Sequence, residues 1–147
     1  MTFRFMCVTS LAVLLVWLQL VQAYCVYNYL DNENSSVYVE EESAPSDVSF
    51  KKTIGHGGKE CCPYDNSECN PRGNKKSHVN FKLVFNFGDG VAESGFSGEC
   101  VGGGGLAFYG TSLSDMKVYC SHPDGIQVQF QVKRPFLLPM PVPFTMK

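Results

Sequence analysis

The fold turns on one stretch, His78-Val79-Asn80-Phe81-Lys82-Leu83-Val84-Phe85-Asn86-Phe87. Val79, Phe81, Leu83, Phe85 and Phe87 fall on one side of an extended chain, while Asn80, Lys82 and Asn86 fall on the other. Successive side chains of a strand point to opposite faces, so this alternation predicts a strand with one buried and one wet face. The same period recurs over residues 125–133, where Ile126, Val128, Phe130 and Val132 alternate with Gln127, Gln129 and Gln131. Less regular strands are expected at 24–30, 36–42, 48–54, 106–109 and 116–120. Beyond residue 23, no segment carries an apolar stripe at helical spacing long enough for a helix. Short strands between turn-rich stretches predict an all-β fold, a disulfide-stabilised antiparallel β-sandwich or barrel of about seven strands.

Upstream of the strands the chain reads as an address. Arg4 is the only charge in the first 23 residues, an apolar run follows, and Val21-Gln22-Ala23 supplies small residues where signal peptidase reads. The apolar run is shorter than the roughly 20 residues a bilayer-spanning helix needs. Residues 1–23 are therefore expected to be a removed signal peptide, with no transmembrane segment left after removal. Taking 23 residues from 147 leaves 124, which is enough to bury a real core. Losing Arg4 takes 12 basic residues to 11 against 14 acidic ones, and the formal charge from −2 to −3. That balance does not suit a nucleic-acid binder.

Cleavage also removes Cys7, turning seven cysteines into six: Cys25, Cys61, Cys62, Cys69, Cys100 and Cys120. An even set in an oxidising compartment predicts three disulfides. Adjacent Cys61 and Cys62 are not expected to bond each other. Cys25 and Cys120, each preceded by tyrosine, are expected to pair, leaving the others to knit the long loop at 55–74 to the glycine-rich residues 98–105. Residues 24–134 are read as the β-sandwich domain. Residues 135–147, with Pro135, Pro139, Pro141 and Pro143, are read as a proline-rich apolar C-terminal tail that suits an extended form. Three roles are open to the tail, in order of preference: a strap over the sandwich, a docking segment, or a peptide released at Lys133-Arg134, where Pro135 hinders cleavage.

Chemistry-bearing patterns are sparse. Cys61, Cys62 and Cys69 with His56 have superficial zinc-ligand spacing, yet secretion favours disulfides, and no metal or other cofactor is expected. Asp31, Glu33, Ser35 and Glu42 echo a calcium loop but lack its glycine, since Ser36 stands there. The glycines at 102–105 precede a strand rather than a helix, which argues for a flexible loop and against a phosphate cradle. His56, His78 and His122, with Glu60, Glu68 or Glu99, hold the elements of acid–base hydrolysis, but no local motif joins them and no catalytic residue is assigned. Tyr24 stands at the expected mature N-terminus, where a copper-binding histidine brace needs histidine. Asn34-Ser35-Ser36 is an N-glycosylation acceptor in an expected loop. The seven tyrosines offer a surface for sugars or for a protein partner.

From Phe50-Lys51-Lys52-Thr53-Ile54 through Gly58-Lys59-Glu60-Cys61-Cys62 to Cys69-Asn70, the chain resembles small secreted cysteine-rich proteins of fungi. The likeness covers signal, size and this loop, and implies an extracellular role without naming an activity. Hydrophobins have eight cysteines with two Cys-Cys pairs, a pattern this chain lacks. The expected function is that of a secreted, extracellular, non-catalytic binding or interaction protein, its partner an unknown extracellular protein or carbohydrate. The alternatives are a small secreted hydrolase using His and Glu residues, or a structural wall or matrix component.

Overall fold

The computed structural model describes residues 23–43, 49–130 and 132. The expected signal segment through residue 22 and the proline-rich tail lie outside them.

Nine strands form among the described residues, and no helix. They are β1 (Ala23–Leu30), β2 (Ser36–Glu41), β3 (Lys51–Gly55), β4 (Lys59–Pro63), β5 (His78–Asn86), β6 (Ala92–Val101), β7 (Gly105–Gly110), β8 (Lys117–Ser121) and β9 (Gln127–Phe130). They build two sheets, one ordered β4-β1-β7-β8-β9 and the other β3-β2-β5-β6. The fold is thus a disulfide-stabilised β-sandwich. All pairings are antiparallel except β1 with β7, which run parallel, β1 lying between β4 and β7 in the sheet.

The alternation at residues 78–87 does what its period demands. Val79, Phe81, Leu83 and Phe85 are buried while His78, Asn80 and Lys82 are exposed. Facing them from the five-stranded sheet are Tyr24, Val26, Leu106, Phe108 and Val118, all buried. The sheets meet ring to ring: Tyr24 stacks on Phe81 with centroids 4.9 Å apart, and Phe108 meets Phe85 edge-on at 5.2 Å. Such pairs add to the transfer of large apolar area from water. Asn28 is fully buried among them; its side-chain amide donates to the Ile54 carbonyl at 3.0 Å and its oxygen accepts from the Leu30 N–H at 3.1 Å.

The disulfides differ from the expected pairing. They are Cys25–Cys61, Cys62–Cys69 and Cys100–Cys120. A Cys25–Cys120 bridge is impossible here because β7 lies between β1 and β8, separating the two strands by about 9.5 Å. Cys25 also lies on the outer face, whereas Cys120 is buried against the second sheet. Cys25 sits directly opposite Cys61 across β1 and β4, with Cα atoms 4.0 Å apart. Adjacent Cys61 and Cys62 point to opposite faces of β4, so each takes a different partner. Cys100–Cys120 joins β6 to β8, and hence sheet to sheet, with Cα atoms 5.5 Å apart.

Residues 125–133 follow expectation only in part. Ile126 and Val128 are 57% and 45% exposed, since β9 is the edge strand of the larger sheet. The glycines at 102–105 form a packed turn rather than a flexible loop. The Gly102 and Gly103 N–H groups donate to the carbonyls of Ser77 and Lys75, and a Cβ at Gly104 would collide with the Ser121 carbonyl.

Candidate functional site

Cross-strand partners share a face, so the register lays out the outer surface of the five-stranded sheet. Across its centre runs the row Lys59, Tyr27, Ala107, Tyr119 and Gln129. Tyr29, Tyr109 and Lys117 stand in the row on one side, and Cys25, Gly105, Ser121 and Gln127 in the row on the other. Four tyrosines from three strands therefore converge over small residues. Tyr27 and Tyr29 have near-parallel rings, 17° apart, with centroids at 5.7 Å. Tyr29 meets Tyr109 at 5.3 Å, and Tyr109 meets Tyr119 edge-on at 5.7 Å. Gly105 makes room for this cluster, because a Cβ there would lie 3.3 Å from the Tyr27 ring. Ala107 is only 7% exposed although it faces outward, flanked by Tyr27 and Tyr119.

Tyr29 and Tyr109 remain 41% and 36% exposed. Partial burial pushes the Tyr109 hydroxyl above the ordinary phenol range, and neighbouring Tyr29 and Tyr119 push it further. The Tyr109 phenol stays a neutral hydrogen-bond donor at physiological pH. The strand positions described above carry two lysines, two glutamines and no carboxylate. No Leu, Ile, Val, Met or Phe interrupts the tyrosines there. Sequence reading named all four tyrosines but could not group them, since the grouping depends on the parallel β1–β7 pairing.

The histidines and glutamates weighed for hydrolysis are dispersed differently. His56 is tied by Nδ1 to the Leu30 carbonyl at 2.8 Å, a local fastening of the turn after β3. Glu60 lies on β4 opposite Val26, and the Glu68 carbonyl accepts the Phe50 N–H. His78, Glu99 and His122 do come together, around a cavity of ≈ 560 Å³ at the β6–β9 side of the sandwich. His78 Nδ1 lies 2.5 Å from the Glu99 carboxylate, and both side chains are more than half exposed. Cys61, Cys62 and Cys69 are disulfide-bonded and hold no thiolate for a metal. Among the described residues no three His, Cys, Asp or Glu side chains are grouped to hold a metal ion. Asn34 is exposed in the turn between β1 and β2, where its N–H donates to the Asn32 side chain at 2.9 Å. Of the possible calcium-loop ligands, Asp31, Glu33 and Glu42 are exposed and Ser35 is buried.

No known family matches the chain, and no characterised protein or solved structure is significantly similar to it.

Proposed function

We propose that the protein is a secreted, non-catalytic binding protein of the extracellular space that takes carbohydrate on its tyrosine face. The observation that carries the reading is the convergence of Tyr27, Tyr29, Tyr109 and Tyr119 on one exposed sheet surface flanked by Gln127 and Gln129. Aromatic faces pack on the C–H surfaces of sugar rings, while phenols and amides exchange hydrogen bonds with sugar hydroxyls. Tyrosine also anchors protein interfaces, and an extracellular protein partner would engage the same four rings. Three disulfides fit an oxidising compartment. Secretion through the signal at 1–23 and glycosylation at Asn34 complete the proposal.

The test is retention on insoluble polysaccharides, with Tyr29→Ala/Tyr109→Ala as the control. Both residues are exposed, so the double variant keeps its fold. Specific retention that this variant loses supports the reading, and retention indifferent to it contradicts the reading. A second reading, a small hydrolase, is favoured by the contact of His78 with Glu99. Hydrolytic activity abolished by His78→Ala would support that reading over the first.

A further inference from the structure

The cavity between β6 and β9 lies apart from the tyrosine face and has a different chemistry. Its apolar side is formed by Val128, Phe130 and the Cys100–Cys120 disulfide. Phe130 packs beside Gly98 of β6, where an added Cβ would lie 3.4 Å from its ring. Glu42, Glu99, His78, His122 and Asn80 supply the polar side. Among the described residues no lysine or arginine lines the space. Glu42 and Glu99 bring two carboxylates to the cavity, set against an apolar wall. A volume of ≈ 560 Å³ is in the range that accepts small ligands, and an apolar wall with a few convergent polar groups is their usual setting.

We infer that this cavity is a second binding site, selective for an organic cation: an ammonium or guanidinium group on an apolar stem. The stem lies against half-buried Phe130 and exposed Val128, displacing water from apolar surface at the sheet edge. The charged head meets Glu42 and Glu99, where charge-assisted hydrogen bonds are stronger than neutral ones. His78 ties the Glu99 carboxylate to the cavity wall through its Nδ1 contact. The inference does not depend on the sugar-binding reading, since no tyrosine of that face lines the cavity.

Titration calorimetry on the full secreted chain tests it, with phenethylammonium, phenethyl alcohol and phenylacetate as probes sharing one stem but differing in charge. N-acetyl-arginine amide and N-acetyl-citrulline amide form a second arm, so that a free amine is distinguished from a side chain of a partner polypeptide. At least one cation is expected to bind in preference to its neutral counterpart, and Glu99→Gln and Glu42→Gln are each expected to weaken it about tenfold. Tyr29→Ala/Tyr109→Ala should leave cation binding unchanged, which separates this site from the proposed sugar face. Raising the ionic strength from about 0.05 M to about 0.5 M should weaken the same binding without any substitution. Equal binding of charged and neutral probes, absence of cation binding, or cation affinity unaffected by both Glu→Gln changes overturns the inference.

Discussion

Tyr24 places a phenol at the centre of the core, stacked on Phe81, with its hydroxyl buried and without a hydrogen-bond partner among the described residues. An unpartnered buried hydroxyl costs desolvation that phenylalanine does not, so Tyr24→Phe should be neutral or stabilising by about 1 kcal/mol in urea unfolding. Phe81→Ala removes the other ring and should cost about 3–5 kcal/mol in the same measurement. Burial pushes the Tyr24 hydroxyl well above the ordinary phenol range, and Glu41 pushes it further. A raised value in the folded state means stability fully present below the ordinary tyrosine value of about 10 and lost as pH rises through the folded one. Urea midpoints at about pH 8 and pH 11 should therefore show an alkaline loss that Tyr24→Phe reduces; an identical loss in both proteins would contradict this. Asp115 shifts the other way. Its carboxylate accepts hydrogen bonds from the Ser112 hydroxyl at 2.7 Å and from the Thr111 N–H and hydroxyl at 3.0 and 2.9 Å, holding it well below the usual carboxylate range. The stabilisation of that turn is present above the ordinary aspartate value and is lost only as pH falls through the lower folded one. Carbon-detected NMR should find Asp115 still ionised at about pH 3; titration near the ordinary value of about 3.9 would refute the arrangement.

Among the elements, β5 was readable from the sequence and β4 and β6 were not, for physical reasons. In β5 every inward position from Val79 to Phe85 is large and apolar. In β6 the inward positions Phe96, Gly98 and Cys100 include one large side chain, because Gly98 yields its space to Leu83 and Phe130. Period alone cannot register a strand whose apolar contact comes from its neighbours. β4 is a short edge strand ending at Pro63, and its register is fixed by disulfides rather than by apolar alternation. Connectivity was likewise out of reach, since it depends on β7 lying between β1 and β8. Peptide mapping without reduction should recover Cys25–Cys61, Cys62–Cys69 and Cys100–Cys120, and any Cys25–Cys120 peptide would contradict the strand order. Replacing Cys100 and Cys120 together by alanine should cost about 2–4 kcal/mol in denaturant unfolding, because the bridge links the two sheets.

For the molecule as a whole, the sandwich was legible because one-sided alternation in short segments leaves few other architectures. The tyrosine face was not, because Tyr27 and Tyr29 are separated in sequence from Tyr109 and Tyr119 by most of the domain and meet only through the β1–β7 pairing. The cavity histidines were legible as residue types, yet His78 on β5 and His122 after β8 come together only once the two sheets close. The larger sheet thus carries the tyrosine face outside and part of the cavity inside, two surfaces with distinct chemistry on one scaffold. The most direct measurement is retention of the protein on a panel of insoluble polysaccharides, beside Tyr29→Ala/Tyr109→Ala. Specific retention of the native protein, lost in the variant while its fold is kept, is the expected result; equal retention of the two, or none on any polysaccharide, would contradict the proposed sugar binding.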